Sequence, residues 1–188
     1  MDIQPVVTVG DDKIYPLIFT PENADKFWQH AKQFPSLYGQ EINGSFEAFV
    51  NIFMVQDVHG DWQTRGLFWV MNDFTGVFLV DNITYLGGEP VDGNVHYTFF
   101  DRRHRGRVPI VKEMFKHIFA KYNFQRLSAA IPNCHSPQAR HFAVACGMAY
   151  EGKKRKSAMY KGDWFDTNLY GILKTEVLNG KPVQGNNE

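Results

Sequence analysis

Cysteine is scarce in this chain, and its scarcity removes two kinds of architecture. Cys134 and Cys146 are the only two among 188 residues, and their separation fits neither a zinc-ligand motif nor a disulfide framework. Both read as packed thiols in a reducing compartment. Long apolar runs are also missing: no stretch would cross a bilayer, and the polar start Met1-Asp2-Ile3-Gln4-Pro5 lacks the basic-then-apolar layout of a secretory signal. A soluble, cytoplasmic protein that does not enter a membrane is the expectation. Nor is there an excess of either charge. Lys and Arg number 20 and Asp and Glu number 20, which excludes global attraction to nucleic acid or anionic lipid. Recognition of an anion has to be local. Repeats and breaks in composition are absent too, and a chain of this length buries a core without staples. One domain over residues 1–178 is expected, followed at 179–188 by a polar tail rich in Gly and Asn.

What the sequence does have is clear periodicity. Ile14 to Phe19 reads as a strand. Thr20-Pro21-Glu22-Asn23 reads as a helix start, with Thr20 as N-cap and Pro21 at the first helical position. That helix should run to Phe34-Pro35, with Phe27, Trp28, Ala31 and Phe34 facing the core. A second short helix, Ser45 through Met54, puts Phe46, Phe49, Val50 and Phe53 on one side. Gly66 to Asn72 and Gly76 to Tyr85 are β-rich runs around Asp73-Phe74-Thr75, a hairpin pattern. Leu86 to Asn94 reads as a turn-rich connection into a third strand, Val95 to Phe100. A strand–helix–strand unit over Val95 to Pro132 requires a parallel, right-handed crossover. Thr167 to Thr175 then reads as an antiparallel partner. The fold class is α/β of the α+β kind: a mixed, mostly antiparallel central sheet, antiparallel early and parallel late, flanked by helices.

The third strand runs into Asp101-Arg102-Arg103-His104-Arg105-Gly106-Arg107 and then a long amphipathic helix. A basic, glycine-containing turn at a helix start brings free backbone N–H groups, the positive helix end and arginines to one point, which suits a phosphate or pyrophosphate. Arg103-x-x-Gly106 before a helix resembles the acetyl-CoA motif of the GNAT family of N-acetyltransferases, Gln/Arg-x-x-Gly-x-Gly/Ala. The same order continues with helix Ile110 to Tyr122, strand Arg126 to Pro132, a helix ending at Cys146-Gly147-Met148, then Glu151-Gly152-x-x-Arg155, Gly162-x-x-x-Asp166 and Tyr170-x-x-Leu173. This tail is similar to the GNAT branch that acetylates ribosomal-protein N-termini and to GNAT-like proteins of tailed phages. For a phage protein the host cytoplasm is the expected location.

The resemblance implies a GNAT fold, acetyl-CoA as cofactor, and direct attack of a primary amine, on a protein N-terminus or a small molecule, on the thioester. It places the cofactor against Phe99, Phe100, Arg103, Arg105, Gly106, Arg107 and Val108, with the backbone of Arg105 to Val108 as pyrophosphate cradle. Here the sequence departs from the family: Val108 fills the second small position, and Pro109, read as a first helical residue, has no N–H to offer. Counting back from Gly147, Ser136 falls in the slot of the asparagine that holds the pantetheine arm, with Asn133 three residues earlier. The slot of the family's acid tyrosine falls on Ala143, which leaves Tyr160, solvent or another side chain to protonate the thiolate. A base near neutral pH has to be a histidine or a raised carboxylate. His96 is the first candidate, beside the family's glutamate slot at Val95. Glu89, and Glu41 in the loop with Tyr38 that would border the acceptor, are others. A site selecting neutral amines would need none.

Other readings stay open. The basic turn also fits a solvated positive face, and a lone strand histidine a structural one. Lys153-Lys154-Arg155-Lys156 between Tyr150 and Tyr160 suits phosphates, so a nucleobase-modifying acyltransferase is an alternative beside a solvated edge or a grip on the CoA 3′-phosphate. His104, His135 and His141 lack ligand spacing, so no metal is expected. The departures at Val108-Pro109, Ala143 and Val95 favour a further alternative, a non-catalytic GNAT-fold binding or virion-assembly protein. The oligomeric state is open between monomer and homodimer.

Overall fold

The computed structural model describes residues 4–34, 45–56, 58–59, 62–101, 104–134 and 137–180. In chain order these form β1 (Val7–Val9), β2 (Asp12–Pro16), α1 (Pro21–Ala31), α2 (Phe46–Phe53), β3 (Met54–Gln56), β4 (Trp62–Thr64), β5 (Leu67–Met71), β6 (Gly76–Leu86), β7 (Glu89–Phe99), α3 (Arg107–Tyr122), β8 (Arg126–Pro132), α4 (Pro137–Ala145), β9 (Ala149–Tyr160), β10 (Asp163–Leu173) and α5 (Lys174–Leu178). Local chemistry sets most of these limits. Thr20 caps α1, its hydroxyl accepting the Asn23 N–H at 3.2 Å, and Ser45 caps α2 by accepting the Ala48 N–H at 3.2 Å. The first helix is shorter than its sequence pattern. Beyond Ala31 it tightens, with the Phe34 N–H donating to the Ala31 carbonyl at 2.9 Å, a three-residue spacing that ends the α-helical ladder.

Eight strands form one sheet in the order β1-β2-β5-β6-β7-β8-β10-β9, and β3 pairs with β4 apart from it. Among the described residues, only β7 and β8 run parallel. The expected late parallel region is therefore one strand pair, because β10 returns antiparallel between β8 and β9. The expected long connection at 86–94 is instead a two-residue turn: Leu86 pairs with Glu89, and Gly87 and Gly88 take φ of 61° and 86°, the left-handed pair a tight hairpin needs. The third strand consequently begins at Glu89. The basic stretch from Lys153 is part of β9, the strand at the sheet edge. The strand expected over Ile14–Phe19 is observed as Asp12–Pro16, with one further bond past its end, the Leu17 N–H donating to the Phe68 carbonyl at 2.9 Å.

Strict alternation divides the core between the two faces of the sheet. Trp69, Met71, Phe78, Val80 and Val95 pack with Ile110, Met114 and Phe119 of α3. Phe68, Val70, Val77 and Leu79 pack with Phe27 of α1 and Phe49 and Phe53 of α2. The second cluster is largely aromatic: Phe27 meets Phe49 at 4.9 Å and Phe53 at 5.4 Å between ring centroids. No helix among the described residues is long and apolar enough to cross a membrane.

Candidate active site

The parallel pair β7/β8 carries the site because it does not stay paired. Asn94 opposite Ser128 is its one bridging position. Past that point β7 follows β6 and β8 follows β10, and a cleft of about 460 Å³ opens between residues 95–99 and 129–132, closed on one side by Gln138, Ala139 and Phe142. The N–H and C=O groups on the two inner edges have lost their ladder partner. They are available to an extended ligand lying between the strands.

At the cleft mouth the chain turns through Gly106, the N-cap of α3, at φ 86° and ψ 10°. Its Cβ position is open, with nothing within 4 Å, so the glycine is there for its conformation. Pro109 is the third helical residue, not the first, as α3 begins at Arg107. It still sits in the first turn, where an N–H has no intrahelical acceptor in any case. Arg107 bends back over the opening. Its guanidinium lies 5.4 Å from the Phe99 ring centroid and donates to the Asp101 carbonyl at 2.8 Å, while its Nε is buried without a partner. Phe99 also stacks on His104, centroids 6.0 Å apart and 9° from parallel. The His104 Nε2 is 3.0 Å from Asp12 Oδ2 but out of line for a hydrogen bond.

Sequence-predicted residues divide sharply by place. Phe99, Arg107 and His96 line the cleft, Arg105 is exposed on the turn, and Val108 packs against the α3-side core. Phe100 does not reach the cleft. It is buried in the α1/α2 cluster against Phe34 at 5.7 Å, because neighbours on a strand point to opposite faces. Asn133 stands at the end of β8, its side-chain carbonyl accepting from Arg140 at 2.9 Å and Asn168 at 2.8 Å. Glu89 is at the hairpin tip, hydrogen-bonded by Asn123 at 3.3 Å, and roughly 16 Å of strand separates it from Asn94 where the cleft begins. Tyr160 ends β9, beyond β10 from the cleft, under Lys161 at 5.3 Å. The basic run shares that edge strand, with Lys153 3.5 Å from Asp166. Arg103, Ser136, Tyr38, Glu41 and His135 lie outside the described residues.

One cleft residue and one partner of a cleft residue are not evident from the sequence. Tyr97 lies on the cleft wall, 5.3 Å from Phe142, and burial pushes its phenol far above the ordinary range. It therefore stays protonated. Asp81 on β6 reaches His96, Oδ1 to Nε2 at 3.1 Å. Strand alternation could have flagged Tyr97; nothing local could have flagged Asp81. Val95, the glutamate slot, is buried toward α3, whereas His96 faces the other way and is half-exposed. Ala143 is wholly buried, so a tyrosine there would have no room. Nearby Cys146 is a core thiol, pushed up by burial to about 12.

Neither a family model nor a curated protein matches this chain, but solved structures do. A chimera of the spermidine N-acetyltransferase SpeG from Vibrio cholerae and hSSAT superposes with a TM-score of 0.68 at 16% identity, over 90% of this chain and 99% of that one. RimJ from Mycobacterium smegmatis, in complex with CoA-disulfide, gives 0.67 at 16% identity over 94% and 87%. The ribosomal-protein-S5-alanine acetyltransferase from Vibrio fischeri gives 0.61 at 16% identity over 94% and 98%. At such identity the likeness is one of fold, and the fold is that of the GNAT acetyltransferases.

Proposed function

We propose that this protein is an acetyl-CoA-dependent N-acetyltransferase whose acceptor is a primary amine, on a protein N-terminus or a small molecule. The observation that carries this reading is the unpaired β7/β8 cleft leading to the left-handed Gly106 turn and the N-terminus of α3. The fold neighbours support it: RimJ is in complex with CoA-disulfide, and the acceptors named for the other two, spermidine and a ribosomal-protein alanine, are amines.

The residues present fit the cofactor. Arg107 keeps a buried, unpartnered Nε at the cleft mouth, an orphan that an anion would satisfy. The orphan N–H groups of Gly106, Arg107 and Val108, with the Arg105 and Arg107 side chains, would hold the pyrophosphate. Phe99 and the inner edges of β7 and β8 would take the extended arm, with Asn133 at its far side. When bound, acetyl-CoA supplies the acyl group as an activated thioester. The rest falls to the chain: the cleft walls exclude water, Tyr97 keeps a protonated hydroxyl in the cleft, and His96 accepts a proton from the acceptor ammonium so that a neutral amine attacks.

Melting with millimolar acetyl-CoA, desulfo-CoA or ATP tests this. At 100 times the dissociation constant, binding adds about 2.7 kcal/mol, which raises the Tm of a domain this size by about 5–10 °C. The rise is expected with both CoA species and not with ATP. No rise with either would overturn the reading and favour the non-catalytic alternative, to which Val108-Pro109 and the buried Ala143 would then belong.

A further inference from the structure

We infer that Asp81 is a positioning residue for His96: its carboxylate fixes the imidazole tautomer and leaves Nδ1 as the proton acceptor in the cleft. This rests on the acyl-transfer reading above. Asp81 and His96 are 15 residues apart in sequence and meet at 3.1 Å as diagonal neighbours on one face of the regular β6/β7 ladder, where Leu79 pairs with His96 and Asp81 with Asn94; the ladder breaks just beyond Asp81. Asp81 pairs with Asn94 and Thr84 with Asp92, so two residues of β6 stand against Gly93 alone. The bulge includes Asn82 at a left-handed φ of 47°, and its side-chain amide donates to Asp81 Oδ1 at 3.2 Å. Gly93 is what lets the strands close over the bulge, since a Cβ there would come within 2.6 Å of Val80 Cγ1.

The chemistry follows from what each group can do. A carboxylate only accepts hydrogen bonds, so the shared proton sits on Nε2 and the neutral ring has its lone pair on Nδ1. When the acceptor ammonium gives up a proton, its N–H bond breaks, an Nδ1–H bond forms, and the nitrogen keeps the electron pair it needs for attack. The positive charge created on the ring then faces Asp81. Other charges on this face are committed elsewhere: Arg126 lies 3.4 Å from Asp92 Oδ2 and also pairs with Glu151. Among the described residues, Asp81 is the ionisable partner of His96. Stability does not account for the pair, since an ion pair with side chains 54% and 27% exposed contributes little to folding.

Two measurements on the full chain test this. Long-range ¹H–¹⁵N spectra of His96 should show the Nε2–H tautomer in the wild type and a mixture in Asp81→Asn. In a kinetic double-mutant cycle, Asp81→Asn should lower kcat about 10- to 100-fold, in the range of coupling between contacting residues, with KM for acetyl-CoA unchanged. In the His96→Ala background the same change should cost nothing more. An Nδ1–H tautomer in the wild type, or an equal loss with and without His96, would overturn the proposal. A wild type that acetylates no amine would instead remove the acyl-transfer reading, and with it the catalytic half of this one, while the spectra still decide whether Asp81 fixes the ring.

Discussion

Replacing Gly106 with alanine isolates the conformational demand of the turn, because nothing else changes there. The glycine adopts φ 86°, and no atom lies within 4 Å of where the new Cβ would stand. Steric clash is therefore absent, and the whole cost is that of holding an L-residue in the left-handed region, about 1–2 kcal/mol. For a domain of this size each kcal/mol moves the melting temperature by about 2–4 °C, so Gly106→Ala should melt about 2–8 °C below the wild type. Asparagine tolerates that region better, so Gly106→Asn should fall between the two. Calorimetric melts without ligand give the conformational cost. Repeating them with acetyl-CoA should show a smaller ligand-induced rise in the alanine variant, because a relaxed turn no longer aims the α3 amides at one point. An alanine variant that melts with the wild type and keeps its full ligand shift would refute the reasoning and remove Gly106 from the cradle.

Three further outcomes are expected. Arg107→Ala should weaken acetyl-CoA binding in isothermal titration while the fold loses the Phe99 contact, about 0.5–2 kcal/mol, and the hydrogen bond to the Asp101 carbonyl; an unchanged Kd would count against the pyrophosphate assignment. Phe27→Ala removes a ring that is 2% exposed from the α1/α2 cluster and should cost about 3–5 kcal/mol in urea unfolding, where a loss below about 1 kcal/mol would mean the aromatic cluster repacks. Stability should fall as the pH drops below 6.5, the ordinary value for histidine, because burial against Trp69 and Tyr122, aided by Lys121, lowers the pKa of His117. Below 6.5 the unfolded chain takes a proton that the folded one refuses, so the unfolded state gains until the lowered folded value is reached. His117→Phe should flatten that slope in pH-dependent denaturation.

Signals spanning a few residues were readable without a structure. Thr20-Pro21 and Ser45 cap helices by bonds to residues three positions on, and the strand, Gly106 turn and α3 succeed one another along the chain. For that reason the cleft mouth, with Phe99 and Arg107, was legible. Errors arose where alternation or register decided. Phe99 and Phe100 cannot share a face, and Glu89 opens β7 directly after the two-glycine hairpin instead of lying in a long turn. Tyr160 and the basic run sit on the edge strand because β10 intervenes.

By itself, then, the amino-acid sequence determined the elements, the glycine turn and the order of the strand–helix–strand unit, because each depends on interactions between near neighbours in the chain. Tertiary structure alone decided that β7 and β8 part beyond Asn94 and Ser128, that Tyr97 faces the cleft, and that the β6/β7 register brings Asp81 to His96. Those facts follow from strand register, where a shift of one residue sends every side chain to the opposite face, and register is settled only when both faces of the sheet have packed.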